Sequence, residues 1–159
     1  MHVDKQTMRV LSVLCILIIP GISMGQVKND KKLSPIPPSM RERFVERLNL
    51  YYELKSTKQY AKLYDLLSEQ YSGVTGERPR REGFIRAYQE LDAEGRDAVP
   101  LKWRLKKVIK ELDDSGNGAY FIFLDVKVRY KGEKIDDKGY FEARVENGDW
   151  YFREYYVET

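Results

Sequence analysis

The chain has 159 residues, a formal net charge of +3 and a hydrophobic fraction of 42%. A charge balance this close to neutral argues against a protein that binds nucleic acid by charge alone. The chain has one cysteine, Cys15, and one histidine, His2, and a single cysteine excludes an internal disulfide framework.

An export signal is predicted at the N-terminus. Lys5 and Arg9 precede an uncharged, apolar run at residues 10–19, and Ser23 and Gly25 then place small residues at the −3 and −1 positions of a cut before Gln26. These are the three parts of a secretory signal peptide, whereas a membrane-spanning helix needs about 20 apolar residues. We therefore expect residues 1–25 to be removed. The mature protein is then expected to be periplasmic or secreted, with no transmembrane segment.

One domain, residues 40–159, is predicted after a polar, proline-rich tether at residues 26–39. Ser39 and Glu42 have the spacing of a capping box, which predicts the start of a helix. Apolar residues at helical spacing then predict three helices. They span about residues 40–54, 58–70 and 80–93.

Beyond residue 98 the apolar period changes from 3.6 to 2, which predicts strands. A break in the alternation at residues 107–109 predicts a β-bulge. Residues 113–118 and Asn147-Gly148 predict hairpin turns, and Lys131-Gly132 predicts a looser connection. The first strand is expected to begin near residue 101. The other three are expected to span residues 120–130, 140–146 and 150–157. The predicted fold class is α+β, with three N-terminal helices packed on a curved antiparallel sheet of about four strands.

This order of elements resembles the nuclear transport factor 2-like superfamily over residues 40–157. The segments that carry the resemblance are residues 44–71, the short helix at residues 81–88, and the ending Gly148-Asp149-Trp150. The resemblance implies a cone in which a curved sheet wraps around a long first pair of helices. The superfamily contains isomerases, dehydratases and plain binding domains, so the fold implies no particular activity.

Catalytic residues are not predicted. Relatives similar to ketosteroid isomerase use a buried carboxylate and a Tyr/Asp pair inside the cone. Here Asp65, Asp125 and Glu142 are the carboxylates considered, and the apolar patterns place all three outward on a hydrated surface. Because the mature chain would have no histidine, dehydratase chemistry of the scytalone dehydratase kind and histidine-assisted hydrolysis are excluded.

No metal or cofactor is predicted either. Asp113, Ser115 and Asn117 imitate the start of a calcium-binding loop, but the twelfth position of that loop is Leu124 and not a carboxylate. The flanking segments also have the period of strands, so the segment is interpreted as a turn.

Two surfaces are candidates for binding. Inside the cone, four aromatic side chains are candidate ligand contacts: Tyr51, Tyr52, Tyr64 and Trp103. On the opposite sheet face, basic side chains are candidates for docking: Lys102, Arg104, Lys106, Lys127, Arg129 and Arg144. That face is either a solvated surface with cross-strand charge pairs or a docking face for an acidic partner. An aromatic patch left uncovered would favour a dimer through the sheet.

The sequence thus favours an exported, non-catalytic binding or protein-interaction domain with a hydrophobic cone. Its partner is expected to be a second copy or an acidic molecule of the cell envelope, and not nucleic acid. An isomerase- or lyase-type enzyme that uses a tyrosine and a carboxylate in the cone is the alternative.

Overall fold

The computed structural model describes residues 30–69, 78–112 and 118–154. The predicted leader and the first part of the predicted tether lie outside the described residues. So do the turn at residues 113–117 and the predicted end of the last strand, residues 155–157.

Three helices precede a four-stranded antiparallel sheet, which confirms the predicted α+β class. The strands lie in the sheet in their chain order, so each neighbouring pair is joined directly. The helices are α1 (Pro38–Ser56), α2 (Tyr60–Tyr64) and α3 (Arg81–Ala93), and the strands are β1 (Val99–Leu112), β2 (Gly118–Tyr130), β3 (Glu133–Glu146) and β4 (Asp149–Glu154).

Helix α1 crosses one face of the sheet, here called the core face. Near the start of α1, the Phe44 ring meets Trp150 of β4 at a centroid distance of 5.1 Å. Near its end, Tyr52 stacks on Trp103 of β1 at 5.5 Å. The predicted capping box is wrong, because no side chain caps this helix. The helix begins at Pro38, and proline suits a first turn whose N–H groups have no partner inside the helix.

The second helix is much shorter than predicted. Helix α2 ends at Tyr64, and Leu67 then forms a parallel β-bridge with Phe152. The Ser68 amide donates to the Phe152 carbonyl and the Phe152 amide donates to the Leu66 carbonyl, both at 2.9 Å. These bonds to the edge of β4 replace the helical bonds of the predicted segment, and they cover an edge that would otherwise be open.

The other sheet edge is covered by part of the predicted tether. Residues Asp30–Leu33 form a 3₁₀ helix, and Leu33 and Ile36 are buried in the core. The Lys32 ammonium donates to the Leu105 carbonyl of β1 at 2.8 Å. The packed part of the chain therefore begins before residue 40.

Strand β1 contains the predicted bulge. Its register against β2 shifts between Leu105 and Lys107, and a second shift lies between Pro100 and Lys102. Bulges bend a strand and strengthen its twist. Because of the shift between Leu105 and Lys107, both Lys106 and Lys107 lie on the face of the sheet that points away from the helices. We call this face the outer face.

Two tight hairpins join the last three strands. Asn147 and Gly148 have φ of +51° and +80°, so the predicted turn is confirmed. Lys131 and Gly132 have φ of +50° and +82°, the same conformation. The looser connection expected there is therefore wrong, and β3 begins at Glu133.

The ending Gly148-Asp149-Trp150 joins the sheet to α1. The Asp149 carboxylate accepts two hydrogen bonds from Arg43, at 3.0 and 2.8 Å. This bidentate contact lowers the pKa of Asp149. The Trp150 indole N–H donates to the Met40 carbonyl at 3.2 Å. In the part of the chain that the structure describes, no helix has the length and apolar character needed to cross a membrane.

Candidate functional site

The interior between the helices and the core face is filled by aromatic side chains. Tyr51 and Trp103 are only 2% and 4% exposed, and Tyr52 packs edge-on against Tyr51 at 5.3 Å. A Cβ atom added at Gly139 of β3 would lie 3.2 Å from the Tyr52 hydroxyl and 3.1 Å from Val126. Three of the four predicted ligand contacts are thus brought together, and they pack against one another and the sheet.

The fourth predicted contact, Tyr64, lies elsewhere. Its ring packs against Phe84 of α3 at 5.5 Å, and the Arg78 guanidinium lies 4.4 Å from the ring centroid. Its hydroxyl donates to the Pro79 carbonyl at 2.8 Å. Tyr64 therefore holds α2, α3 and the segment before α3 together.

The three carboxylates considered from the sequence lie outside the interior. Asp65 is exposed and pairs with Arg81. Asp125 lies on the outer face, where its bond to Arg104 lowers its pKa. Both placements agree with the sequence prediction.

Glu142 also lies on the outer face, but the predicted hydrated position is wrong. Its side chain is buried at 1% exposure. It forms ion pairs with Arg144 and Arg153, the second at 3.6 Å. These two arginines supply the partners that a buried carboxylate requires.

A buried tyrosine–carboxylate pair was missed by the sequence analysis. The Tyr60 hydroxyl donates to Asp97 at 2.7 Å, and the Tyr60 ring stacks on Tyr88 at 5.0 Å. Burial, reinforced by the Asp97 hydrogen bond and charge, raises the pKa of Tyr60. The pair ties α2 to the segment that leads into β1. No pattern in the sequence links two residues so far apart.

This burial predicts a loss of stability in alkali. Tyr60 stays neutral in the folded protein but ionises near pH 10 in the unfolded chain. The contribution of neutral Tyr60 to the free energy of unfolding is complete below pH 10, and above that pH it falls by about 1.4 kcal/mol per pH unit. In urea unfolding between pH 8 and pH 11, we expect the free energy of unfolding of the Tyr60→Phe variant to decline less steeply with pH than that of the parent. Parallel curves for parent and variant would show that Tyr60 ionises freely in the fold.

The outer face is strongly basic over one half of the sheet. Five of the six predicted docking residues lie together there, joined by three further lysines and accompanied by Asp125 and Asp136. The eight basic residues are Lys102, Arg104, Lys106, Lys107, Lys127, Arg129, Lys134 and Lys138. The sixth docking candidate, Arg144, lies at the other end of the face beside Glu142. We call the eight residues the basic face.

The two acids of this region are already engaged. Asp125 pairs with Arg104 at 2.6 Å and with Lys106 at 3.5 Å, and Asp136 pairs with Lys127 at 3.4 Å. Within the described residues, five bases have no carboxylate within ion-pair distance: Lys102, Lys107, Arg129, Lys134 and Lys138.

The cross-strand pairing on the basic face is unfavourable at two places. Lys102 lies directly opposite Lys127, and Arg129 lies directly opposite Lys134. Like charges in directly opposite positions destabilise a sheet. A groove of about 480 Å³ lies against the same three strands, and residues of both sheet faces line it, because Trp103, Val126 and Asp137 belong to the core face. Its charged lining residues are Lys102, Arg104, Asp125, Lys127, Asp136, Asp137 and Lys138.

Apolar side chains lie beside the basic face. Tyr140 contacts Phe123 at a centroid distance of 4.9 Å and Phe121 at 6.0 Å, and Ile109 lies opposite Phe121. All four are partly exposed, and we call them the aromatic strip. Partial burial, with the charges of Glu111 and Glu142, raises the pKa of Tyr140. The strip was not predicted from the sequence, although Phe121 and Phe123 make both faces of β2 apolar.

A second groove, of about 540 Å³, lies at the end of the sheet near Met40 and Tyr120. Its charges are mixed, since Lys110 and Arg144 accompany Glu69 and Glu146. The Glu146 carboxylate already accepts hydrogen bonds from the Ser68 hydroxyl and the Glu69 amide. Across the described ranges, no group of three or more acidic, histidine or cysteine residues has the geometry of a metal site.

Comparison with solved structures agrees with this architecture. Aln2 from a Streptomyces species superposes with a TM-score of 0.51 at 11% identity, over 74% of this chain and 88% of that chain. The fold is nuclear transport factor 2-like. At this identity the likeness shows the fold alone.

Two proteins from Xanthomonas campestris show weaker likeness. One, named for a calcium/calmodulin dependent protein kinase II association domain, has a TM-score of 0.47 at 15% identity, over 76% of this chain and 91% of that chain. The other, named for a polyketide cyclase, has a TM-score of 0.41 at 16% identity, over 74% of this chain and 92% of that chain. No protein-family model matches the chain, and no curated protein matches it.

Proposed function

We propose that this chain is an exported, non-catalytic interaction domain that binds an acidic partner through the basic face of its sheet. The observation that carries the proposal is that like charges occupy directly opposite strand positions twice, Lys102 opposite Lys127 and Arg129 opposite Lys134. Export is supported by the signal-like pattern of residues 1–25.

The like-charge pairs are informative because the fold does not need them. Opposite charges at directly facing positions contribute about 0.2–1 kcal/mol, and like charges cost stability. A face that served only to keep the sheet hydrated would gain from an acid at either position. An acidic partner supplies the missing negative charge, and the long-range field of the face would speed its approach.

The interior offers less support for a binding or catalytic role. Tyr51, Tyr52 and Trp103 are used in packing, as their ring contacts show. An isomerase- or lyase-type enzyme would need a tyrosine and a carboxylate that reach a substrate. The buried pair that the structure offers is Tyr60 and Asp97, whose polar atoms bond to each other and which are only 5% and 7% exposed.

The proposal is tested by reversing one charge. In Lys102→Glu, the new carboxylate faces Lys127, so the free energy of unfolding should rise by about 0.2–1 kcal/mol. The same variant should bind poly-L-glutamate more weakly in calorimetric titrations at low salt, and the affinity of the parent should fall as salt is added. Higher stability together with weaker binding would mark a position kept basic for binding.

The matched control is Arg86→Glu on α3, an exposed position on a helix rather than on the sheet. It changes the net charge by the same amount. If Arg86→Glu weakens binding as much as Lys102→Glu does, the effect belongs to the total charge of the protein. The basic face would then not be the binding surface.

A further inference from the structure

We propose that the aromatic strip is the centre of this interface, and that the partner is a different protein with an apolar segment beside acidic residues. The inference rests on the proposed function. It adds the chemical character of the partner, and it excludes a second copy of this chain as the occupant of the face.

Along its length, the outer face changes from aromatic to basic residues, as a protein interface changes from its centre to its rim. Centres of protein interfaces are enriched in aromatic residues and arginine, whereas lysine is depleted there and charged residues collect at the rim. Here Phe121, Phe123 and Tyr140 lie together. Arg144 of β3 lies at the end of this group, directly opposite Ala119 of β2. Lys107 lies directly opposite Phe123, and the other lysines of the basic face lie to one side of the strip.

The strip is also held in place before any partner arrives. Tyr140 contacts both phenylalanines, and the Lys107 ammonium lies 4.4 Å from the centroid of Phe123. The buried carboxylate of Glu142 holds Arg144 beside them. Side chains that are already ordered lose little conformational entropy on binding. A partner would therefore meet a preformed apolar surface.

Charge argues against a second copy on this face. A two-fold symmetric dimer pairs the same patch of surface with itself. The basic face has eight bases and two acids, and both acids already have basic partners. Beyond the strip, Glu142 is likewise occupied by arginines, and Glu111 adds one further acid to the face. Two such faces would repel each other, whereas an acidic protein would be attracted.

The test uses three synthetic peptides of equal length, which alternate Glu with Leu, Glu with Ser, and Lys with Leu. We expect the Glu–Leu peptide to bind at least about tenfold more tightly than the Glu–Ser peptide. The Lys–Leu peptide should not bind. Phe123→Thr and Ile109→Thr, which keep a residue suited to strands, should remove the preference for Glu–Leu and leave the affinity for Glu–Ser unchanged.

Ile135→Thr is the matched control, because Ile135 lies on β3 but on the opposite face from Tyr140 and is 39% exposed. This variant should keep the preference for the Glu–Leu peptide. Equal affinities for Glu–Leu and Glu–Ser would overturn the inference about the strip and leave the proposed function standing. Failure of both acidic peptides to bind would overturn both. A dimer in light scattering that Phe123→Thr converts to monomer would overturn the assignment of the partner.

Discussion

Replacing Trp150 with alanine is expected to lower the free energy of unfolding by about 3–5 kcal/mol. The side chain is 0% exposed. It lies between Phe44 of α1 and Tyr120 of β2, with centroid distances of 5.1 and 5.0 Å. Its removal would leave a cavity where α1 meets the sheet and would take away the hydrogen bond to Met40. Urea unfolding at neutral pH measures the loss.

Val145→Ala is the control for this substitution. Val145 lies opposite Trp150 on the neighbouring strand, but it is 37% exposed. Its truncation should change stability by no more than about 0.5 kcal/mol. If Trp150→Ala cost less than about 1 kcal/mol, the packing of α1 on the sheet would be wrong.

Replacing Glu142 with glutamine is expected to cost about 3 kcal/mol. Removing one member of a buried ion pair leaves its partners without a counter-charge, which commonly costs about 3–5 kcal/mol. Arg144 and Arg153 keep 15% and 19% of their side-chain exposure, so water offsets part of the penalty and the lower end of that range applies. Urea unfolding at neutral pH again measures the change.

Asp125→Asn makes the same chemical change at an exposed site. Asp125 pairs with Arg104 and Lys106, but both partners are more than half exposed. Exposed pairs contribute little to stability, so this variant should lose far less than Glu142→Gln. Equal losses in the two variants would contradict the burial of Glu142 that distinguishes them.

The sequence predicted the elements whose signals are local. Asn147-Gly148 suits a turn with positive φ at both positions, and residues 107–109 break the strand alternation at the bulge. The change of apolar period near residue 98 correctly separated the helical half from the sheet. The basic side chains were placed on the correct face because side chains alternate strictly along a strand.

The elements that were predicted wrongly depend on distant contacts. Leu67 has helical spacing, yet its segment bonds to the edge of β4. Residues 133–138 are exposed, so the first part of β3 has no apolar alternation to reveal it. Glu142 follows the outward alternation, but its burial depends on arginines on two strands. The filling of the interior depends on how Tyr51, Tyr52 and Trp103 pack together, which spacing along the chain does not specify.

A nuclear magnetic resonance titration of the labelled protein with the Glu–Leu peptide shows directly which surface binds. The two tryptophans, Trp103 and Trp150, are both buried on the core face, so their indole N–H signals report on the interior. We expect the backbone amides of residues 102–107, 121–129 and 134–140 to shift on titration while both indole signals stay in place. Shifts of the indole signals without changes in those strands would show that the interior is the binding site.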